Sequence, residues 1–500
     1  MIYMLRIVLL LILVLTFVFS GYYYCSYLLL SPSASASSST YVPTLSYNTD
    51  EEIPSIINDP TLKVEEVVRG LDLPTTMAFL GPNDILVLEK DKGTVQRIIN
   101  GKILPEPLLD VNVATSVERC MCGIAVSTKS SSSNVGSTTI TYVFLYFTEA
   151  EIADSEDVTQ GKDPVGNRLY RYELDNINNK LINPVLLLDL PAVPGPRHNG
   201  GAIMIGPDNN LYIPIGDVDG WGNGEAFETK AQNYVNGIEP DGRGGILRIT
   251  QDGKSIVGIA GSNSSDEGIL GNTHPLNLYY AYGIRNSFGI DFDPITGKLW
   301  ETENGPGEGD EINLVEPGFN SGWKELMGMD SLEEDFYPDT DLENFNGKGK
   351  YSAPEFTWSH TVGPTALKFL NSDKLGMHYA NDIFVGDVHN GWIYHFKLNE
   401  ARTDLVLGGG LLADKVANSD SELEEAAGSS GDDGIIFGKG FGGITDLEVG
   451  PDGYLYVVSI GQGAIYRIVP GVNDVGSGAD GDDVEGQADE DVSGGENEGG

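Results

Sequence analysis

From about Leu62 to Val469 the chain repeats one cadence of apolar and polar positions. A turn carrying Gly, Pro, Asp or Asn leads into a short alternating apolar strand, and a second turn leads into another strand that often ends in an Arg-Ile-like step. The unit shows in GPNDILVLEKDKGTVQRI from Gly81, in YVFLYFTEAE with GNRLYRYEL from Tyr142, in GPDNNLYIPIGD from Gly206 and in DPITGKLWETENG from Asp293. It returns in NDIFVGDVHNGWIYHFKL from Asn381 and GPDGYLYVVSIGQGAIYRI from Gly450, which makes six copies. Alternation at period two predicts strands, and no long segment carries the 3.6-residue period of a helix. Six such units with no linker between them predict an all-β fold, a six-bladed β-propeller over residues 61–470. Closing the ring buries the apolar strand faces between neighbouring blades. An array of β-sandwiches is the alternative, which the shared cadence disfavours.

The flanks read differently. Residues 7–30 are almost continuously apolar, long enough to cross a bilayer at about 20 residues per span. Residues 1–30 are therefore a transmembrane helix or a long signal peptide. The small-residue pattern Ala34-Ser35-Ala36 lies farther from the charged start than an ordinary signal needs, which favours the anchor. Residues 31–60, rich in Ser, Thr and Pro, read as a flexible linker. Residues 471–500 carry no Lys or Arg and read as a disordered acidic tail. The expected location is the cell membrane with the propeller outside the cytoplasm, or secreted if the segment is cleaved. Within the propeller, residues 130–138, 327–350 and 417–433 read as long loops.

Charge narrows the partners. The chain has 30 Lys and Arg against 74 Asp and Glu, a net charge of -44, and such a surface repels phosphate, which excludes nucleic acid. There are three cysteines. Cys25 falls in the apolar run, whereas Cys120 and Cys122 point the same way in an extended strand and are awkward to bridge, so disulfides are not expected to hold the fold.

Candidate chemistry concentrates in two places. His198 stands in PGPRHNGGAIMIGPDNNLYIPIGD, where its imidazole can act as a general base near neutral pH. Asp217, closing the next strand, is spaced to return beside it and fix its tautomer; the plainer reading is a hairpin histidine satisfied by a backbone carbonyl. His360, His378 and His389 lie near blade ends without the spacing of a metal triad. The second place is Tyr280 to Trp323. There Arg285 can grip a carboxylate, and the turn at Gly305 and Pro306 can aim carbonyl oxygens at a hard cation such as calcium. Glu303, Glu308, Asp310 and Glu311 crowd the same turn. Such a run is often just a solvated turn, but its alternating glycines permit tight curvature.

The motifs RHNGG, GPDNNLYIPIGD, GRGGILRI, YAYGIRNSFGIDFDPITGKLWETENGPGEGDEINLVEPGFNSGW and GPDGYLYVV, in this order, resemble the glucose/sorbosone dehydrogenase family of six-bladed propellers. The resemblance implies a sugar dehydrogenase that oxidises an aldose C1 hydroxyl to a lactone and passes electrons to an external acceptor, with pyrroloquinoline quinone and calcium as cofactors. His198 matches the family's general base and Asp217 the acid that orients it. Arg285 and Asn286 match the pair beside the cofactor, Gly305 and Pro306 the carbonyls that hold its calcium, and Glu311 the place of a second, structural calcium. His389 stands where members commonly have a lysine, and Lys439 is the basic residue where they have arginines. Two other readings are a non-catalytic, calcium-stabilised binding module and a calcium-dependent lactone or ester hydrolase on the same scaffold.

Overall fold

The computed structural model describes residues 55–471 except 134–135, 152–163, 219–227, 257–267, 330–335, 409 and 429–433. The expected anchor or signal segment, most of the linker and the acidic tail lie outside the described residues. Among the described residues no helix is long and apolar enough to cross a membrane.

The described strands form an all-β propeller. Six sheets follow one another along the chain. The first is built on Pro74–Gly81, Asp84–Glu89 and Thr94–Ile99, and the second on Met121–Ser133, Gly136–Ala150, Pro164–Asp175 and Lys180–Leu190. The third contains Met204–Ile205, Asn210–Ile215, Gly245–Thr250 and Tyr279–Tyr282; the fourth contains Ser287–Phe292, Leu299–Glu303, Asp310–Val315 and Phe356–Trp358. The fifth contains Pro364–Phe369, Ile383–Asp387, Ile393–Leu398 and Ile436–Lys439. In the sixth, Ile444–Val449, Leu455–Ser459 and Ala464–Pro470 are joined by Leu62–Arg69 from the other end of the chain. Each sheet packs against the next in chain order, and the sixth returns to the first. Thr76, Ile124, Met204, Ile290, Ala366 and Leu447, one from each sheet, line a single axial cavity.

Burial refines the cadence. Strands such as Asp84–Glu89 (DILVLE) and Leu455–Ser459 (LYVVS) are buried almost throughout instead of alternating. Both faces of a radial sheet meet a neighbour, so its middle strands take apolar residues on both sides. The large core side chains include Trp300, Trp358, Phe356 and Tyr394, all fully buried.

The seam in the sixth sheet takes the place of a covalent closure. Leu62 pairs with Pro470 and Arg69 with Ala464, while Val68 packs with Leu71, Val458 and Ile465. Val68→Ala is expected to cost about 2 kcal/mol and to lower the calorimetric melting temperature by about 2 °C.

Several expectations are corrected. Cys120 and Cys122 are joined in a disulfide, with Cα atoms 5.3 Å apart. The pairing register shifts between Met121 and Gly123; this bulge draws the two residues closer than the roughly 6.6 Å of a regular strand. A bridge spanning two residues still leaves the fold to its packing. In the serine-rich stretch, residues 130–133 and 136–138 are paired strand and not loop, with Ser133 opposite Gly136. The acidic stretch 417–433 contains a helix, Asp420–Gly428, with acidic residues in its first turn, where they suit the helix dipole. Within 31–60, Ile56 and Ile57 pair with Lys439 and Gly438, and Ser55 Oγ donates to the Gly440 carbonyl, so the fold takes in residues from the linker's end.

Candidate active site

His198 lies in the connection from the second sheet to the third, and Asp217 lies just past Asn210–Ile215. Their side chains meet: His198 Nδ1 is 2.5 Å from Asp217 Oδ1, and both residues are buried, 4% and 1% exposed. The other Asp217 oxygen accepts from the indole Nε1 of Trp323 at 2.8 Å. Burial alone would raise the Asp217 carboxyl, but the charge and hydrogen bond of His198, the charge of Arg285 and the Trp323 N–H together hold it below the ordinary carboxylate value. An ionised Asp217 keeps the imidazole proton on Nδ1 and leaves Nε2 as the basic nitrogen.

Local backbone makes this approach possible. His198 adopts a left-handed φ of 58°. Gly216 lies so close to it that a Cβ there would fall 2.1 Å from the Arg285 carbonyl oxygen and 2.8 Å from His198 Cβ. The glycine of the IGD motif is therefore a packing requirement. The Asp217 N–H donates to that same Arg285 carbonyl at 2.9 Å, which ties the second residue of the dyad to the start of the fourth sheet.

Arg285 is partly buried beside the Trp323 ring, 5.4 Å from its centroid. Its Nη1 donates to the carbonyls of Asn304 (2.6 Å) and Gly305 (2.8 Å), and its N–H donates to Glu303 Oε1 (2.6 Å). Asn286 donates from Nδ2 to Glu118 Oε2 at 3.4 Å, while its buried Oδ1 has no hydrogen-bond partner. Asp310 organises the following turn. Its carboxylate accepts from the N–H groups of Gly305, Val362 and Gly363 and from Thr361 Oγ1. Gly305 is buried, whereas Pro306 and Glu308 are exposed at the tip; a Cβ on Gly305 would lie 1.9 Å from the Glu308 carbonyl oxygen.

Three carboxylates lie behind this turn. Glu303 pairs across the hairpin with Glu311, and Glu301 with Asn313, so all four side chains share one face. They are fully buried. Asn313 Nδ2 donates to Glu301 Oε1 (2.9 Å) and Glu311 Oε2 (3.0 Å), and Ser321 Oγ donates to Glu303 Oε2 (2.6 Å). Glu301 Oε2 makes no well-formed hydrogen bond, the Ser287 hydroxyl being the group that interacts with its carboxyl. Burial pushes Glu301 and Glu311 up to about 7, and burial together with repulsion from both neighbours pushes Glu303 well above the ordinary value. Among the described residues no group of three His, Cys, Asp or Glu side chains is set to hold a metal ion by itself. A cation here would need mixed carboxylate, hydroxyl and carbonyl ligands.

The remaining candidates divide. His389 is exposed, with Nδ1 3.3 Å from the Thr361 carbonyl. Because Thr361 also holds Asp310, this places His389 on the rim next to the Gly305 turn. Lys439 is committed elsewhere, 2.6 Å from Glu424 and 4.2 Å from the centroid of the Trp392 ring. His360 contacts Asp420 at 2.8 Å, and His378 lies by Asp59 and Tyr379, apart from the dyad. Three participants escaped the sequence reading: Glu118, whose Oε2 accepts the His198 N–H at 2.7 Å, Trp323 as a partner of Asp217, and Glu301. The last had a signal in its parity with Glu303, whereas Glu118 is 80 residues from His198 and had none.

The chain is similar along most of its length to known sugar dehydrogenases. The aldose sugar dehydrogenase YliI of Escherichia coli (strain K12) is 23% identical over 412 residues, covering 82% of this chain and 93% of its own. The quinoprotein glucose dehydrogenase B of Acinetobacter calcoaceticus is 34% identical over 166 residues, 32% of each chain. Among solved structures, the PQQ-bound aldose sugar dehydrogenase of Streptomyces coelicolor superposes with a TM-score of 0.54 at 22% identity, covering 82% of this chain and 98% of its own, a likeness of fold. The family model for glucose/sorbosone dehydrogenases matches residues 71–467, and the chain belongs to that family.

Proposed function

We propose that the protein is a quinoprotein sugar dehydrogenase that oxidises the C1 hydroxyl of an aldose to the lactone, on a propeller whose six sheets are six blades. The observation that carries this reading is the buried His198–Asp217 pair, with Trp323 on the second Asp217 oxygen and Arg285 alongside. That arrangement is built to orient a base and to stabilise the charge it acquires.

The residues fit the cofactors the family implies. The Glu301 carboxyl, one of three buried side by side with Ser287 and Ser321 at hand, fits a hard cation held with nearby carbonyls. At the turn, the Gly305 carbonyl would have to share or give up its Arg285 Nη1 donor to hold, with the Pro306 carbonyl, the calcium that accompanies the quinone. For pyrroloquinoline quinone, Arg285, the unpartnered Asn286 Oδ1 and His389 would line the binding place; Lys439 would have to leave Glu424 to take part. When bound, the quinone supplies a two-electron acceptor for the hydride from C1, its carbonyl polarised by calcium. The chain's own work is acid–base chemistry. His198 Nε2 takes the C1 hydroxyl proton as the C1–O bond becomes a carbonyl, and Asp217 stabilises the imidazolium. The electrons then pass to an external acceptor. In this reading the apolar run 7–30 anchors the chain in the cell membrane with the propeller outside, or exports it if cleaved.

Reconstitution with calcium and the quinone, followed by dye reduction over a panel of aldoses, tests the proposal. Turnover with quinone retained through gel filtration is expected. No turnover and no retained quinone absorbance would favour a non-catalytic binding module.

A further inference from the structure

The His198 backbone is held as deliberately as its ring. A φ of 58° is sparsely populated for a residue with a side chain, so something must stabilise it. Glu118, in the approach to the second sheet, accepts the His198 N–H through Oε2 at 2.7 Å, and the same oxygen lies 3.4 Å from Asn286 Nδ2. Glu118 thereby touches both the base and the first residue leading into the fourth sheet. Its own N–H donates to the Pro196 carbonyl at 3.1 Å. The next residue, Arg119, is buried and donates from Nη2 to the carbonyls of Ala192 (2.9 Å) and Gly195 (3.3 Å). Residues 118 and 119 thus clamp the 192–198 connection, and the clamp ends on His198, the non-glycine residue of that connection with a left-handed φ.

We propose that Glu118 is a positioning residue for the base: its carboxylate oxygen, by accepting the His198 N–H, keeps the imidazole aimed between Asp217 and the reacting hydroxyl. This rests on the dehydrogenase reading for its effect on rate, but not for its effect on the backbone. An acceptor at that distance is what matters, so Glu118→Gln should preserve the function. Glu118→Asp keeps the charge but withdraws the oxygen by about one C–C bond, roughly 1.5 Å, and should fail much as Glu118→Ala does.

The test uses the full chain and two readouts. In Glu118→Ala and Glu118→Asp, kcat is expected to fall by about tenfold to a hundredfold, as misplacement of a catalytic group does, with the sugar KM changed less than about twofold. Glu118→Gln should stay within about threefold of the parent. Independently, hydrogen exchange of the His198 amide, followed without sugar or quinone, should quicken by about tenfold or more in the Ala and Asp variants and remain slow in the Gln variant. Unchanged His198 exchange in folded Glu118→Ala or Glu118→Asp would overturn the proposal, as would loss of slow exchange in Glu118→Gln. If the parent oxidises no aldose, the dehydrogenase reading fails while the exchange measurement still decides the role of Glu118. If Glu118→Ala does not fold, the Gln and Asp pair decides it alone.

Discussion

His198→Asn is expected to reduce kcat/KM of the reconstituted protein by about 10² to 10⁴-fold, the range that general-base catalysis supplies. Asparagine is the better replacement because it tolerates the left-handed φ of this position, so the fold should survive. Melting temperature and calcium binding should stay near those of the parent. Asp217→Asn should move in the same direction by about 10²-fold or more. Its amide can donate to Nδ1, which shifts the imidazole proton to Nε2 and removes the basic lone pair from the reacting side. The interaction it disturbs is the 2.5 Å contact to Nδ1, while the Trp323 N–H can still meet the amide oxygen. Steady-state dye reduction together with thermal melts separates lost chemistry from lost structure. Parent-like turnover in His198→Asn would remove the dyad from the mechanism.

Removing calcium should destabilise the protein, and more so as pH rises. Glu301 and Glu311 are pushed up to about 7 from 4.5, and Glu303 is raised well above its ordinary value, with burial as the first cause. A carboxyl whose folded value is raised holds its proton more tightly folded than unfolded. Its contribution is therefore complete below the ordinary value and drains away as pH climbs through the raised one. A bound cation can take the place of those protons. The metal-free protein should lose melting temperature steadily from pH 5 to pH 8, whereas the calcium-loaded protein should change little. At pH 8, calcium at about a hundred times its Kd should add about 3 kcal/mol, or roughly 3 to 5 °C for a domain of this size. At pH 5 the difference should nearly vanish. Differential scanning calorimetry with and without a chelator at both pH values measures it, and a calcium effect equal at both would show that the three glutamates are not its site.

What each level of description decides is visible in these residues. The cadence of turn and apolar strand is local, and strands such as DILVLE, NLYIPI and LYVVS were legible because β-branched and aromatic residues between Gly, Pro, Asn and Asp turns have few other ways to fold. Order along the chain also exposed His198, Asp217, Arg285 and the GPGEGDE turn, since each sits where a strand gives way to a glycine turn. The acidic helix at Asp420–Gly428 was hidden because its weak amphipathic pattern looks like a charged loop.

The rest depended on pairs far apart in sequence. The Leu62–Arg69 strand closes the ring on residues almost four hundred positions away. One step of hairpin register places Glu301, Glu303, Glu311 and Asn313 on a single face, and a shift of one residue would scatter them. A bulge, invisible to a count of residues, draws Cys120 to Cys122. By itself the sequence determined the repeating sheets and the family and singled out His198 and Asp217 as a candidate pair, because those follow from short-range pattern and chain order. Only the tertiary structure decided that Glu118 accepts the His198 N–H, that Lys439 is turned to Glu424, and that three glutamates share one buried face. Those facts are set by which surfaces meet when the ring closes, and no local preference encodes them.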